Sequence, residues 1–131
     1  MATLVPTSCG LVGVELGAHG VRQLRLPQAT EQTAWEALGS PDATRRVQPQ
    51  ALGDLAARLQ AYFRGEPAAF PDEVDLDKAT AFQRAVYAAA RQVPYGQRIS
   101  YSDLAARAGY PQAARAVGQA LARNPACLII P

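Results

Sequence analysis

Apolar and polar positions alternate near the N-terminus of the chain, and apolar positions recur at helical spacing after that. From Cys9 to Leu26 the alternation continues on both sides of a glycine-rich turn, as CGLVGVEL and then GVRQLRL, which predicts a β-hairpin. Residues 28–47 are polar without a clean period, and we expect a connecting loop with short turns there. Residues 49–64 carry an apolar face at helical spacing between a leading proline and a following glycine, so they predict a helix.

The C-terminal half begins with a linker and a helix start. The stretch GEPAAFPDEVDLDKAT at residues 65–80 has no period and is predicted to be a linker. It ends at Thr80, and Thr80-x-x-Gln83 is a capping-box signature, which is typical of the first turn of a helix. The apolar positions of this helix that we expect to face inward are Phe82, Val86 and Ala89.

Two shorter helical patterns meet across Gly109, Tyr110 and Pro111. Ser100-x-x-Asp103 predicts an N-terminal cap for the first helix. Gly109 suits the position just past a helix, where a positive φ is wanted, and Pro111 suits the first turn of the next helix. The apolar stripes are Leu104, Ala105 and Ala108 in the first helix and Ala114, Val117 and Leu121 in the second. Two helices joined this tightly predict a helix-turn-helix that offers its second helix to DNA; the alternative is an ordinary helical hairpin packed in a core.

Charge is distributed unevenly along the 131 residues. Residues 1–76 contain six arginines against nine acidic residues, whereas residues 77–131 contain six arginines and one lysine against two aspartates. The net charge of +2 therefore hides an acidic N-terminal part and a basic C-terminal part. A basic part of this kind favours contact with a polyanion, and arginine is the better phosphate ligand. The alternative is that these arginines are solvated charges on helix faces.

Several classes of protein are disfavoured by the composition. The chain has two cysteines and one histidine, too few for a disulfide framework or a four-coordinate zinc site, so we expect no metal and no cofactor. Cys9 and Cys127 are predicted to be buried thiols, and His19 lies in the predicted hairpin turn. The sequence has no signal-peptide pattern and no transmembrane run, so we expect a soluble, cytoplasmic protein without a membrane partner.

Four blocks in the C-terminal part are specific enough to compare with known families. They are FQRAVY at 82–87, PYGQRISYSDLA at 94–105, AARAVGQA at 113–120, and RNP followed by LIIP within 123–131. Together they resemble the C-terminal domain of O-6-alkylguanine-DNA alkyltransferases. Members of this family transfer an alkyl group from guanine to one of their own cysteines, once per molecule. The resemblance implies an α/β N-terminal domain, a small sheet plus helix, over residues 1–76 including the linker. A mainly helical, winged-helix-like domain with a helix-turn-helix would follow over residues 77–131.

The resemblance also implies which side chains contact DNA. Arg115 matches the finger that enters the base stack and fills the space left by the flipped guanine, and Tyr101 matches the tyrosine that pushes the target's 3′ phosphate. Ser102 and Tyr110 match neighbouring DNA-contact positions, and Gln83 matches a weaker one. The second helix would lie in the minor groove, where its alanines keep the surface thin. The alternative is that alanine is simply the best helix former.

The family's reactive residue would come directly after Pro131. In the family, LIIP is followed by Cys-His-Arg, whose cysteine is the nucleophile and whose histidine, with a later glutamate, helps to ionise it. We therefore expect no catalytic residue within residues 1–131. Asn124 matches the asparagine that braces the turn before this segment, and Pro131 is expected to support the site. If the chain ended at Pro131, Leu128 to Ile130 would be expected to lack packing partners.

Three functional hypotheses follow from these residues. The first is an alkyltransferase, of which these residues are a part, acting as a monomer on double-stranded DNA that carries alkylated guanine. The second is a non-enzymatic, alkyltransferase-like damage sensor with another residue where the cysteine belongs. The third is a general helix-turn-helix DNA-binding protein, which fits the basic half but does not explain why Tyr101, Arg115 and LIIP coincide.

Overall fold

The alternating N-terminal pattern folds into three antiparallel strands in the order β1-β2-β3. The computed structural model describes residues 1–94 and 96–131, and its strands are β1 (Ala2–Thr7), β2 (Gly10–Gly17) and β3 (Gly20–Gln28). β2 and β3 pair around a turn in which Gly17 faces Gly20, so the predicted hairpin is confirmed, with His19 in its turn. β1 was not predicted, because Pro6 interrupts the strand signal; a proline is tolerated there since β1 is an edge strand.

The predicted loop at residues 28–47 contains a helix, so that prediction is wrong. Helix α1 spans Glu31–Ala37 and is capped by Thr30, whose side chain accepts a hydrogen bond from the Thr33 N–H at 3.1 Å. Ala34 is the buried residue of this helix, and Leu38 just after it packs where a Cβ on Gly13 would lie. One buried position in seven residues is too sparse to produce a visible helical period.

The predicted helix at residues 49–64 is two shorter segments. A 3₁₀ turn spans Pro49–Leu52, and helix α2 spans Leu55–Phe63. Gly53 separates them with a φ of 63°, a left-handed conformation that a continuous helix cannot contain. Leu55 and Leu59 form the buried face of α2, so the apolar spacing was interpreted correctly while the start of the helix was not.

The C-terminal helices are α3 (Ala81–Arg91), α4 (Tyr101–Arg107) and α5 (Ala114–Ala122). The capping box before α3 is confirmed, because Thr80 Oγ1 accepts from the Gln83 N–H and Gln83 Oε1 accepts from the Thr80 N–H. The buried side chains of the three helices include Val86, Ala89, Leu104, Ala105, Val117 and Ala120. Phe82, predicted to face inward, is only half-buried.

A buried hydrogen bond joins α3 to α5. The Tyr87 hydroxyl donates to the Ala120 carbonyl at 2.8 Å, and the Tyr87 side chain is almost completely buried. Burial raises the pKa of the Tyr87 phenol, against a smaller opposing effect of the Arg123 charge. The raised pKa keeps the phenol neutral, and the neutral hydroxyl is the donor that this hydrogen bond requires.

The turn between α4 and α5 begins as predicted and ends differently. Gly109 has a φ of 90°, as the position just past a helix requires. Pro111 was predicted in the first turn of α5, but that helix begins at Ala114, so the prediction is wrong. The turn is instead closed by the Ala113 N–H, which donates to the Tyr110 carbonyl at 3.0 Å; the fixed φ of proline is equally suited to such a turn.

The chain divides into two compact units. One contains Met1–Asp75 together with Pro125–Ile129, and the other contains Leu76–Asn124 together with Ile130–Pro131. The late segment joins the first unit because Ala126 forms a parallel bridge with Leu24 on β3. The sequence predicted domains over residues 1–76 and 77–131, and this division stays a prediction. It did not include the return of residues 125–129 to the first unit.

Two predictions about the burial of single residues are wrong. Cys9 is exposed and Cys127 is half-buried, so neither is a buried thiol. Cys9 follows β1 in an exposed turn, where Ser8 donates to the Phe63 carbonyl at 2.8 Å. Leu128 to Ile130 were expected to lack packing partners if the chain ended at Pro131; residues 1–131 alone leave Ile129 and Ile130 only 3% and 1% exposed and Leu128 half-buried.

Two negative findings hold for the residues that the structure describes. No helix in residues 1–94 or 96–131 is both long and apolar enough to cross a membrane. Within the same residues, no group of three or more histidine, cysteine, aspartate or glutamate side chains is arranged to hold a metal ion.

The Tyr87 contact predicts a measurable loss of stability. Tyr87→Phe is expected to lower the free energy of unfolding by about 1 kcal/mol, because it removes a buried donor while the Ala120 carbonyl keeps its bond from the Arg123 N–H. Urea-induced unfolding followed by circular dichroism measures the change. Tyr110→Phe is the control, since its ring is 40% exposed. Equal losses in both variants would contradict a special role for Tyr87.

Candidate nucleic-acid interface

Helix α4 presents Tyr101 as its first residue. The Ser100 side chain caps this helix by accepting from the Asp103 N–H at 3.0 Å, which confirms the predicted cap. Asp103 lies in the first turn and Arg107 in the last turn, an arrangement that suits the helix dipole. Tyr101 is 55% exposed although it is a large aromatic residue, and Ser102 beside it is also exposed.

Arg115 and Tyr101 line the same hollow on the outer face of α5. The hollow is shallow and open, with a volume of about 500 Å³. Its lining residues are Tyr101, Ala114, Arg115, Gly118, Gln119 and Ala122. Apart from Tyr101, all of them lie on α5, and the small ones leave the two long polar side chains, Arg115 and Gln119, one helical turn apart. The structure therefore brings together the two residues on which the family resemblance depends most.

Tyr110 lies in the turn between α4 and α5 and is supported by an aromatic neighbour. Its ring meets Phe82 edge to face, with ring centroids 4.9 Å apart and an interplanar angle of 86°. Edge-to-face pairs of this kind are favourable beyond the area that they bury. The Tyr110 N–H also donates to the Ala105 carbonyl at 2.9 Å, so both the ring and the backbone of this turn residue are held.

Gln83 caps α3, a structural role separate from the DNA contact that the family resemblance implies. Its side-chain oxygen accepts from the Thr80 N–H at 3.0 Å, which fixes the start of α3. A glutamine oxygen has a second lone pair, and its amide nitrogen is a donor, so the capping bond does not by itself prevent a contact with DNA. Its role in DNA binding stays a prediction.

Asn124 holds the segment that precedes Pro131. The Asn124 side-chain amide donates to the Ile130 carbonyl at 2.6 Å, a part-buried contact. The Ile130 carbonyl belongs to the peptide bond with Pro131, so this contact restrains the proline directly. Pro131 itself is exposed. The peptide group that leads to the position after Pro131 is thus restrained by the Asn124 side chain.

The two units differ in their charged residues. Ion pairs in the N-terminal unit join Arg22 to Asp75, Arg45 to Glu15, Arg58 to Asp54 and Asp72, and Arg64 to Glu66. The Asp72 carboxylate raises the pKa of the Arg58 guanidinium further above its ordinary value. The C-terminal unit has seven basic residues against two aspartates, and Arg115 is exposed within it. A polyanion would therefore be attracted to the C-terminal unit.

Sequence reasoning missed two participants in this surface. Gln119 lines the hollow beside Arg115, but a single exposed glutamine in a helix carries no pattern. Phe82 was assigned to the core, whereas its ring supports Tyr110. The separation of residues 82 and 110 along the chain hides that pairing from any local pattern.

Comparison with known proteins identifies the family. Residues 81–131 match the model of the 6-O-methylguanine DNA methyltransferase DNA-binding domain. The methylated-DNA–protein-cysteine methyltransferase of Mycobacterium bovis is 37% identical over 121 residues, which cover 88% of this chain and 67% of that protein. The chain belongs to this family.

Solved structures of family members have the same fold. The crystal structure of O6-methylguanine methyltransferase from Mycobacterium tuberculosis matches with a TM-score of 0.73 at 33% identity, covering 99% of this chain and 74% of that one. A second structure is that of OGT from the same organism in complex with DNA, with a TM-score of 0.73 at 31% identity and the same coverage. The arrangement of a small sheet followed by helices is therefore that of the methyltransferase family.

The chain matches only part of its relatives. It spans from 48% to 67% of the length of the curated methyltransferases that it resembles, about half in the case of the first of them, at 50%. The activity, substrate and partners of the whole protein are therefore matters for proposal.

The contact between Asn124 and Ile130 predicts how the last segment behaves. Asn124→Ala is expected to accelerate amide hydrogen exchange in peptides covering residues 125–131 by roughly fivefold, because it removes a side-chain hydrogen bond worth about 1 kcal/mol. Mass-spectrometric hydrogen exchange measures the change. Gln119→Ala, at an exposed position of α5, is the control and should leave these peptides unchanged. Unaltered exchange in Asn124→Ala would show that the bond does not restrain the segment.

Proposed function

We propose that this protein repairs alkylated guanine in double-stranded DNA by transferring the alkyl group to one of its own cysteines. The observation that carries the proposal is the hollow on α5 that Tyr101 and Arg115 line together. Membership of the methyltransferase family supports the chemistry, and the basic character of the C-terminal unit supports the substrate.

The outer face of α5 suits the minor groove of DNA. The groove is roughly 6 Å wide in B-DNA, so a helix can approach it only with a narrow face. Ala114, Gly118 and Ala122 provide such a face along the hollow. We place the unit among winged-helix-like domains with a helix-turn-helix formed by α4 and α5. Binding through phosphates and the groove would depend little on base sequence.

The target guanine has to leave the base stack before it can react. Extrusion of a base costs a few kcal/mol, least where the pairing is already weakened by damage. Arg115 projects from the exposed face of α5 and would enter the stack to fill the vacated space. Tyr101, at the exposed start of α4, would press on the 3′ phosphate and help to rotate the nucleotide. Ser102, Tyr110 and Gln83 would contact the flanking backbone.

The chemical step requires a thiolate close to the extruded base. We assign the nucleophile to a cysteine directly after Pro131, as in the family pattern that follows LIIP. Its sulfur would attack the alkyl carbon, forming an S–C bond as the C–O6 bond breaks; the electron pair remains on guanine, which takes up a proton. A free thiol is only partly ionised at neutral pH, so a neighbouring histidine would act as its base. Asn124, through the Ile130 carbonyl, would fix the peptide that leads to this sulfur.

The remaining parts of the proposal are simple. The protein would act as a monomer, without a cofactor, in the cytoplasm, and each molecule would react once. A damage sensor without the cysteine would bind DNA through the same surface but would not transfer the alkyl group. A general helix-turn-helix regulator would bind plain duplex as well as alkylated duplex.

Alkyl transfer to the protein tests the chemistry. We expect the protein with its native residues after Pro131 to gain the mass of one benzyl group when it is incubated with O6-benzylguanine. The Cys9→Ser and Cys127→Ser variants should label equally well, because neither thiol is assigned to the reaction. Labelling that depends on either of those residues, or no labelling of a protein that carries the following cysteine, would contradict the proposal. A protein that lacks the cysteine but prefers alkylated duplex would be a sensor.

Substitution of Arg115 tests the assignment of the finger. Arg115→Ala is expected to weaken binding to alkylated duplex by about 1–3 kcal/mol, roughly tenfold to hundredfold, while reaction with free O6-benzylguanine changes little. Fluorescence anisotropy measures binding, with the proposed nucleophile replaced by serine in both proteins, and mass spectrometry of the proteins that keep the cysteine measures the reaction. Arg64→Ala removes the same charge from the N-terminal unit, where Arg64 pairs with Glu66, and serves as the control. Equal losses on duplex and free base would exclude a finger role.

A further inference from the structure

Gly118 lies in the middle of helix α5, where the backbone conformation does not require a glycine. It lies within the nine residues of α5, and it is not among the glycines with a positive φ. Glycine is markedly less favourable than alanine at such a position. A side chain must therefore be absent for a reason outside the helix itself.

The reason that the structure offers is the ring of Tyr101. A Cβ added to Gly118 would lie 3.0 Å from Tyr101 Cε2, 3.2 Å from Cδ2 and 3.7 Å from Cζ. The first two distances are tighter than nine in ten contacts that Cβ atoms make, so one partner would have to move by a few tenths of an ångström. All three of the nearest atoms belong to Tyr101.

The ring, rather than the helix, is the partner that would yield. Tyr101 is the first residue of α4 and is 55% exposed, so rotation about its side-chain bonds moves the ring into solvent. The backbone of α5 is held on its other face by the buried residues Val117 and Ala120. A methyl group at position 118 would thus displace the aromatic ring and leave the fold intact.

We propose that Gly118 is a positioning residue that seats the Tyr101 ring against α5. With no side chain at position 118, the ring lies on the helix surface as one wall of the hollow that also contains Arg115. This inference rests on the proposed function, because it concerns how Tyr101 is held for its task on DNA. It assigns to Gly118 an effect that is transmitted through the tyrosine ring.

A different role for the same glycine makes a different prediction. Gly118 could serve to let the DNA approach the helix, in which case a methyl group would obstruct the groove whether or not a ring is present. The two roles separate in a double-mutant cycle, because coupling between two positions appears only when one acts through the other.

The experiment measures the dissociation constant for duplex DNA containing O6-methylguanine, by fluorescence anisotropy, in four proteins of the full chain. They are the parent, Gly118→Ala, Tyr101→Ala and the double variant. In all four, the cysteine proposed to follow Pro131 is replaced by serine, so that no alkyl group is transferred during the titration. We expect Gly118→Ala to raise the dissociation constant by roughly tenfold in the parent. In the Tyr101→Ala background the same substitution should change it by less than about twofold. Tyr101→Phe, which keeps the ring, should retain the effect.

Two further readouts separate positioning from damage to the fold. The melting temperature of Gly118→Ala should equal or exceed that of the parent, since alanine favours the helix. Nuclear Overhauser contacts between the Tyr101 ring and the Hα of residue 118 should be weaker in Gly118→Ala than in the parent. If Gly118 were needed only for the fold, Gly118→Ala would lower the melting temperature instead.

Each of the other outcomes overturns the inference. Equal losses of affinity in the Tyr101 and Tyr101→Ala backgrounds would assign Gly118 to the approach of DNA. Unchanged affinity in Gly118→Ala would show that the seat is unnecessary. A parent protein that binds alkylated and plain duplex equally weakly would refute the proposed function together with the inference, whereas additive losses on a protein that binds well would refute the inference alone.

Discussion

Helix α5 has to be held firmly on one side and kept almost bare on the other, and the rest of the C-terminal unit follows from that constraint. Its inner face is fixed by Val117 and Ala120 in the core, and the carbonyl of Ala120 receives the buried hydroxyl of Tyr87 from α3. A short helix rich in alanine and glycine has little packing area of its own. The hydrogen bond to α3 and the capped helices around it therefore provide the rigidity that α5 lacks, which allows its outer face to consist of small residues.

A bare helix face makes the few large side chains on it more important. Around the hollow, Arg115 and Gln119 stand among alanines and a glycine, and the aromatic wall is contributed by Tyr101 from α4. The position of that wall depends on how closely the ring can approach α5, and a Cβ at position 118 would lie 3.0 Å from the ring. The turn between the helices is held independently by Gly109 and by the contact of Tyr110 with Phe82. Geometry at this surface is thus set by several weak contacts, each of which has a definite partner.

Local signals were predictable from the sequence, and long-range ones were not. The hairpin, the capping box before α3, the Ser100 cap of α4 and Gly109 were predicted because a turn or a cap is decided by neighbouring residues. Helix α1 was missed because only Ala34 within it is buried, and β1 because a proline lies in an edge strand. The closeness of the Tyr101 ring to Gly118 and the return of Ala126 to β3 are pairings of distant residues, for which a single sequence contains no pattern. The roles proposed for Tyr101 and Arg115 came from the family resemblance, not from periodicity.

The proposed DNA-binding surface and the proposed reactive position are linked through the last turn of α5. Arg115 and Gln119 lie on this helix, and the Arg123 N–H that ends it donates to the carbonyls of Gln119 and Ala120. Asn124 follows immediately and donates to the Ile130 carbonyl at 2.6 Å. If a base is extruded beside Arg115 as proposed, the residue after Pro131 has to be held relative to α5. The helix end and the Asn124 hydrogen bond are two contacts that restrain the segment leading to it. Because transfer needs sulfur and alkyl carbon in contact range, this short connection is a physical reason for the asparagine to follow the helix so closely.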